Sequence, residues 1–361
     1  MRQLSARLSI WAIALVALAV VIVPASAVAK KSQPYVVHAL VSNGAVPAAH
    51  TDPQLVNGWG LAASPTSPWW VANNGTNSST LYDGSGNKQS LTVTVEGGPT
   101  GEVFNPTSEF VVHSGASSGP ARFIWASEDG KIRGWNPGVP PPPPSTMAQV
   151  AVDDTASGAI YKGLALAVTA AGPRLYTTDF HNGSVDVYDG SWNEVDIPGA
   201  FVDPKLPKHY APFGIQTIGT RIFVTYGKQD ATAHDEVDGN GRGIVDVYDT
   251  AGTLLARVAS HDHLNAPWGL ALAPASFGPF GGDLLVGNFG DGRINAYEEE
   301  ANGRFEREGV LRGENGKPIA IDRLWALEFG NAGASGPAGT LFFTAGPNDE
   351  MDGLFGSITA R

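Results

Sequence analysis

The chain has 361 residues with 45 glycines, 26 prolines and no cysteine, and only 16% of its residues are charged, against about a quarter in a typical soluble domain. The lack of cysteine excludes disulfides, thiolate zinc sites and cysteine nucleophiles. A net charge of -12 argues against a nucleic-acid partner, because phosphate binding needs a basic surface. The composition favours many short strands joined by tight turns.

The N-terminus has the pattern of a secretory signal. Arg2 and Arg7 precede an apolar run over residues 10–23, and the segment PASA that follows ends in a small-x-small site. The run is shorter than the ~20 residues that a membrane span needs, although a retained anchor is the alternative. We therefore predict a Sec-type signal peptide of residues 1–27, cleaved after Ala27, and a secreted or periplasmic mature protein with no membrane span.

Six segments repeat one pattern, an apolar strand around a small residue that we call the pivot. The pivots are Gly60, Gly101, Gly163, Gly214, Gly269 and Ala326, and successive pivots are 41 to 62 residues apart. That spacing is typical of one four-stranded blade with loops of variable length. The repeats predict a single all-β, six-bladed β-propeller over residues 28–361, with two β-sandwich domains as the alternative.

The last repeat ends at Arg361 without a candidate for its fourth strand. An open edge of this kind invites aggregation. Residues 35–41, YVVHALV, lie before the first repeat and have the alternation of a strand. We expect this N-terminal strand to complete the last blade and close the ring.

The pattern PWGLALA followed by LLVGNFGDGRINAYE resembles the NHL repeat of six-bladed propellers. The order of NGWGLA, EDGKIRGWNP, DPKLPKHYAPFGI and GPNDEMDGLFG also resembles a bacterial secreted family of NHL-like propellers whose activity is uncharacterised. The resemblance implies the propeller fold and export, and it implies no reaction.

The residues just before the pivots are candidates for a ligand site, because propellers bind ligands at one mouth of the central channel. Four of these six positions are aromatic, and a lysine occupies a fifth. Rings at the mouth could stack on sugars, aromatic groups or a cation, or they could fill the space between blades as core. The candidate ligand-binding residues are Trp59, Lys162, Phe213, Trp268 and Trp325.

Two sets of side chains could hold a divalent metal ion. His209, Asp262 and His263 precede inner strands, and imidazoles that converge there would suit zinc, although solvent-exposed histidines are the alternative. Asn73, Asp179 and Asn288 end the second strands of three blades. Their oxygens suit calcium, and a resemblance to secreted lactonase-type propellers implies such an axial ion; local turn hydrogen bonds are the alternative.

The function predicted from these observations is binding. No GxSxG, HExxH or P-loop motif is present, so serine hydrolases, zincins and nucleotide-binding proteins lack their diagnostic residues. The long insertion at residues 228–243 is a second candidate binding element. We expect a monomeric scaffold that binds a small molecule, glycan or protein at the channel mouth. The alternative is a lactonase-like, metal-dependent hydrolase or lyase with calcium or zinc in the channel.

Overall fold

A computed structural model describes residues 33–361, and the predicted signal peptide with its cleavage site at Ala27 lies outside the described residues. The described chain forms one sheet of three to five strands for each of the six predicted repeats, and a separate two-stranded hairpin. The strand pairs within the blades are antiparallel. Their innermost strands contact one another in succession, and the sixth returns to the first. The predicted six-bladed β-propeller is confirmed.

The strands follow the blades in chain order. The N-terminal segment contains β1 (Tyr35–Ser42) and β2 (His50–Thr51). Blade one contains β3 (Gly58–Ala62), β4 (Trp69–Asn73), β5 (Ser78–Tyr82) and β6 (Lys88–Thr94). Blade two contains β7 (Pro99–Phe104), the hairpin of β8 (Val111–Ser114) and β9 (Ser117–Pro120), and then β10 (Phe123–Ser127), β11 (Lys131–Trp135) and β12 (Gln149–Asp153).

The remaining blades continue the same order. Blade three contains β13 (Tyr161–Thr169), β14 (Gly172–Asp179) and β15 (Ser184–Asp189). Blade four contains β16 (Tyr210–Ile218), β17 (Arg221–Lys228), β18 (Ile244–Asp249) and β19 (Leu254–Ser260). Blade five contains β20 (Pro267–Leu272), β21 (Leu284–Asn288), β22 (Ile294–Glu299) and β23 (Phe305–Val310). Blade six contains β24 (Leu324–Phe329), β25 (Leu341–Ala345) and β26 (Leu354–Ala360).

Helical structure is limited to short 3-10 turns. The described chain contains three of them, at Asn74–Thr76, Thr155–Ser157 and Gly278–Phe280. Within residues 33–361 no helix has the length and apolar character needed to cross a bilayer.

The ring closes through the N-terminal strand. β1 pairs antiparallel with β26, from Tyr35 opposite Ala360 to Ser42 opposite Leu354. The backbone N–H of Tyr35 also donates to the carbonyl of Arg312 in blade five. The predicted closing strand is therefore confirmed, and it removes the edge that β26 would otherwise leave unpaired.

The pivot glycines exist because neighbouring inner strands approach closely around the axis. A Cβ added at Gly60 would overlap the carbonyl oxygen of Thr100, and one added at Gly214 would overlap that of Trp268. The strand pairing is irregular at the pivots of blades one and four, between Gly58 and Leu61 and between Pro212 and Ile215. The glycine that recurs in the sequence is thus required by close contact between blades and not by a turn.

We expect Gly214→Ala to lower the free energy of unfolding by about 1–3 kcal/mol, because the added methyl group forces the inner strands of blades four and five apart. Gly138→Ala is the matched control, since its Cβ would meet only an ordinary contact with Asn136. Urea unfolding followed by tryptophan fluorescence measures both variants. Equal stability of the two would contradict this explanation of the pivots.

Candidate functional site

The aromatic residues predicted to line the channel mouth, the end at which the inner strands begin, fill it instead. Trp59 and Trp325 stack with ring centroids 3.7 Å apart, and Trp268 packs edge-on to Trp325 at 5.8 Å. Phe213 lies 5.9 Å from Trp325. These four side chains are 0–9% exposed, so a ligand could stack on a ring face only by displacing a neighbouring ring. The core interpretation accounts for this packing.

Two phenylalanines complete this aromatic cluster. Phe289 lies 4.2 Å from Trp325 and Phe180 lies 5.3 Å from Phe213. Each follows the polar residue that ends the second strand of its blade, in the sequences TTDF and VGNF. The sequence analysis missed them, although this shared position was a usable signal.

Lys162 lies above the aromatic cluster as a buried cation. Its side chain is 1% exposed, and its Nζ lies 2.5 Å from Glu128 Oε1 and 3.3 Å from Asp235 Oδ1. The same Nζ is 5.1 Å from the ring centroid of Trp59. Burial lowers the pKa of Lys162, but the charges of Glu128, Glu236 and Asp235 outweigh burial and raise it. The lysine is therefore held charged and is unsuited to act as a nucleophile.

Two further carboxyl groups surround this lysine. Burial raises the pKa of Glu236 to about 8, although the charge of Lys162 opposes that rise. Burial also raises the pKa of Glu350, whose Oε2 accepts a hydrogen bond from Asn57 Nδ2 at 2.7 Å. Asn57 Oδ1 accepts in turn from the indole N–H of Trp325 at 2.8 Å. The side-chain amide of Asn57 thus links the charged groups around Lys162 to the aromatic cluster.

The insertion at residues 228–243 reaches the channel mouth, because it carries Asp235 and Glu236 to Lys162. It also places Asp238 against Arg323, which pairs with Asp349 on the other side. The insertion, predicted as a second binding element, thus lies beside Lys162 at the channel mouth. Its acidic residues neutralise cations of the propeller instead of leaving an open acidic surface.

The six predicted metal ligands do not form one group. Asn73 Nδ2 donates to Ser78 and Thr80, and Asp179 accepts from the backbone and side chain of Asn182. Asn288 Nδ2 donates to Asp291 and to the carbonyl of His263. These contacts support the interpretation as local hydrogen bonds for Asp179. The Oδ1 atoms of Asn73 and Asn288, which would be the ligand atoms, are buried and have no hydrogen-bond partner in the described chain.

Among residues 33–361, one group of three potential ligands places its atoms within 4.8 Å of one another, and it contains Glu128, His234 and Asp235. None of the predicted ligands His209, Asp262 and His263 belongs to it. His234 Nδ1 lies 2.8 Å from Asp235 Oδ1. Sequence reasoning missed this group because its members come from separate blades, and only the folded insertion brings them together.

The open space along the axis lies at the opposite end, where the inner strands finish. A cavity of about 820 Å³, which we call the axial cavity, is lined by residues of five blades. Its walls are largely apolar and include Leu61, Phe104, Leu166, Ala167 and Phe329. This size and apolar character are typical of small-molecule sites.

Two glutamates line the axial cavity. Glu102 is 6% exposed, and within the described chain neither of its carboxyl oxygens has a hydrogen-bond partner. Burial raises the pKa of Glu102 well above its ordinary value. The indole N–H of the cross-strand neighbour Trp125 is near enough to oppose that rise in part, but it does not meet the geometry of a hydrogen bond and is itself without a partner in the described chain. Glu328 Oε2 accepts from Gln216 Nε2 at 3.0 Å. Burial raises the pKa of Glu328 to about 7, with that hydrogen bond opposing the rise.

The sequence did contain a signal for these two carboxyl groups. The inner-strand segments GPTGEVFN and RLWALEFG each place a glutamate inside an otherwise apolar strand. Buried glutamate is rare unless it is paired or functional. Both glutamates follow a pivot, whereas the predicted ligand-binding residues all precede one.

Comparisons with known proteins give relatives in sequence and in fold. No model of a known protein family matches the chain. It is 35% identical over 330 residues to uncharacterized protein R648 of Acanthamoeba polyphaga mimivirus, covering 88% of this chain and 78% of R648. It is 33% identical over 335 residues to uncharacterized protein L690 of the same virus, covering 89% of this chain and 85% of L690.

A solved structure of a glucose dehydrogenase matches with a TM-score of 0.54 and 13% identity, covering 90% of this chain and 100% of that one. At this identity the likeness concerns the fold alone. The two sequence relatives are viral, so they give no support to a bacterial source. At this identity and coverage, the chain belongs to the protein family that includes mimivirus R648 and L690.

Proposed function

We propose that the protein is an exported, NHL-like propeller that acts as a monomeric binding scaffold for a small molecule, with the axial cavity as its ligand site. One observation carries this proposal: a volume of about 820 Å³ of open, mostly apolar space lies between the inner strands. It differs from the predicted site in position, because aromatic rings fill the channel mouth.

Three features support a small molecule over the glycan or protein ligands that the sequence left open. The cavity has the volume of a small-molecule pocket. Its walls are apolar, with few polar groups to match the many hydroxyls of a sugar chain. Rigid strands rather than long loops position its side chains, which keeps the site formed before a ligand arrives.

The expected result is saturable binding of N-phenyl-1-naphthylamine, an uncharged probe that fluoresces in apolar surroundings. Ala63→Trp should abolish the fluorescence increase, since Ala63 lines the cavity and the larger side chain occupies it. Ala301→Trp, in an exposed turn of blade five, should bind the probe as the unmodified protein does. Failure of the probe to bind, or equal binding by both variants, would refute the proposed site.

A second candidate is a metal-dependent hydrolase or lyase, favoured by the group of Glu128, His234 and Asp235. Nitrogen and carboxylate ligands of this kind suit zinc or manganese. Lys162 Nζ already neutralises both carboxylates of the group, so the binding scaffold is the first choice. A stoichiometric metal in the purified protein, with a melting temperature that falls on chelation, would reverse that order.

Export is proposed from the N-terminal sequence pattern alone. The mass of the protein recovered outside the cytoplasm of an expressing host tests it. We expect a mature chain that begins at Val28, and an intact N-terminus on all of the recovered protein would contradict cleavage.

A further inference from the structure

The axial cavity contains an unpaired polar group at a position where burial is costly. Within the described chain, the carboxyl of Glu102 has no hydrogen-bond partner although it is 6% exposed. A buried polar group without a partner costs about 1–3 kcal/mol. This cost would be recovered if a ligand supplied the missing partner.

The rest of the cavity wall selects the charge of that partner. Glu102 and Glu328 are the ionisable side chains in the described lining, and no lysine, arginine or histidine accompanies them there. Both glutamates also line the narrow part of the channel between the inner strands. An anionic ligand would therefore meet two carboxyl groups without a compensating cation, whereas a cationic ligand would gain from both.

The size and polarity of the cavity select an organic cation over a metal ion. The volume is far larger than one ion requires, and Leu61, Phe104 and Phe329 offer apolar surface rather than further oxygen ligands. A molecule with an apolar body and one charged nitrogen would bury its body on these side chains. Its N–H groups would reach the unpaired carboxyl.

We propose that the axial cavity binds an organic ammonium compound with an apolar body, whose nitrogen donates hydrogen bonds to Glu102 beside Glu328. This inference rests on the proposed ligand site and names the chemical class of its ligand.

Binding of this class has a consequence for protons. Burial raises the pKa of Glu102 well above its ordinary value, so the empty cavity favours its neutral acid form. An ammonium ion favours the carboxylate, so the complex forms as the ion pair and the carboxyl proton passes to solvent. No covalent bond forms or breaks apart from this O–H bond.

Competition against N-phenyl-1-naphthylamine tests the ligand class. The probes are 2-phenylethylammonium, the uncharged 2-phenylethanol and the anionic phenylacetate, which share one ring. We expect the ammonium compound to displace the dye at a concentration at least about tenfold lower than the alcohol, because a hydrogen bond to a charged group contributes about 1.5–3 kcal/mol. Phenylacetate should compete least.

Glu102→Gln should remove most of that preference by a loss of about tenfold or more in affinity for the ammonium compound. Glu306→Gln, an exposed carboxyl on β23, is the matched control and should leave the affinity unchanged. Titration calorimetry at pH 7 in two buffers of different ionisation enthalpy should show proton release in the unmodified protein and a smaller release in Glu102→Gln, in which Glu328 still titrates near pH 7. If Glu102→Gln does not fold, Glu328→Gln and the ratio between the three probes give the answer.

The outcomes separate the two proposals. Dye binding with equal displacement by 2-phenylethylammonium and 2-phenylethanol would refute the ammonium class and leave the ligand site standing. Dye binding with stronger displacement by phenylacetate than by 2-phenylethylammonium would also refute the ammonium class. If the dye does not bind, the ligand site itself fails, and the inference fails with it.

Discussion

Replacing Lys162 with methionine should lower the free energy of unfolding by about 2–4 kcal/mol at neutral pH, because it leaves a group of partly exposed carboxylates without their buried cation. Lys162 is 1% exposed and lies 2.5 Å from Glu128 and 3.3 Å from Asp235. Its positive charge also faces Glu236 and Glu350. Chemical unfolding at pH 7 measures the loss.

The loss should depend on pH in a defined direction. Burial raises the pKa of Asp235, but the charge of Lys162 and the interaction with His234 together outweigh burial, and the net pKa is lowered. The stabilisation from this pair is thus present above the ordinary pKa of aspartate and is lost as the pH falls. Glu236 has a raised pKa of about 8, so it favours the folded state at low pH and ceases to do so as the pH rises through that value.

Removing Lys162 would raise the pKa of both Asp235 and Glu236. Both changes make the loss of stability larger as the pH rises. The difference in the free energy of unfolding between the Lys162→Met variant and the unmodified protein should increase as the pH rises from about 4 to about 8. Lys131→Met is the control, because Lys131 pairs at 3.2 Å with the half-exposed Asp153 and should cost at most about 1 kcal/mol. An equal, pH-independent loss in both variants would show that Lys162 contributes only through packing.

Trp325→Ala should lower the free energy of unfolding by about 3–5 kcal/mol, the usual range for removing a buried aromatic side chain. Trp325 is fully buried, stacks on Trp59 at 3.7 Å and donates from its indole N–H to Asn57 at 2.8 Å. Trp325→Phe should recover part of the loss, because it retains a ring but not the donor. Thermal and urea unfolding measure both variants.

Met351→Ala, at a side chain that is 71% exposed, is the control for Trp325 and should change the stability by less than about 0.5 kcal/mol. If Trp325→Ala were as stable as this control, the aromatic cluster would not be core. The channel mouth would then regain its place as a ligand site.

The contrast between the two ends of the channel explains why the proposed ligand site differs in position from the one expected from the sequence. The sequence places a bulky or charged residue before almost every pivot. A ring of such side chains can either line an open channel or fill it. In the structure, Phe180 and Phe289 pack against Phe213 and Trp325, and the insertion covers Lys162. The mouth is therefore filled, and the space remains at the other end.

The sequence by itself determined the number of blades, the pivots and the closing strand. These features depend on alternation within a strand, on turn residues and on the close approach at each pivot, all of which are encoded locally and recur from blade to blade. The pivot at Gly214 and the strand β1, for example, lie where the pattern predicted them.

Only the tertiary structure decided which end of the channel is open and which charges meet. Glu128, Lys162 and Asp235 belong to three different blades, and no spacing along the chain reports their distance. Glu102 became a candidate because its burial without a hydrogen-bond partner is a property of the assembled ring. The physical reason is that burial and electrostatic interaction depend on distances in space, and in a propeller the residues nearest the axis are far apart in sequence.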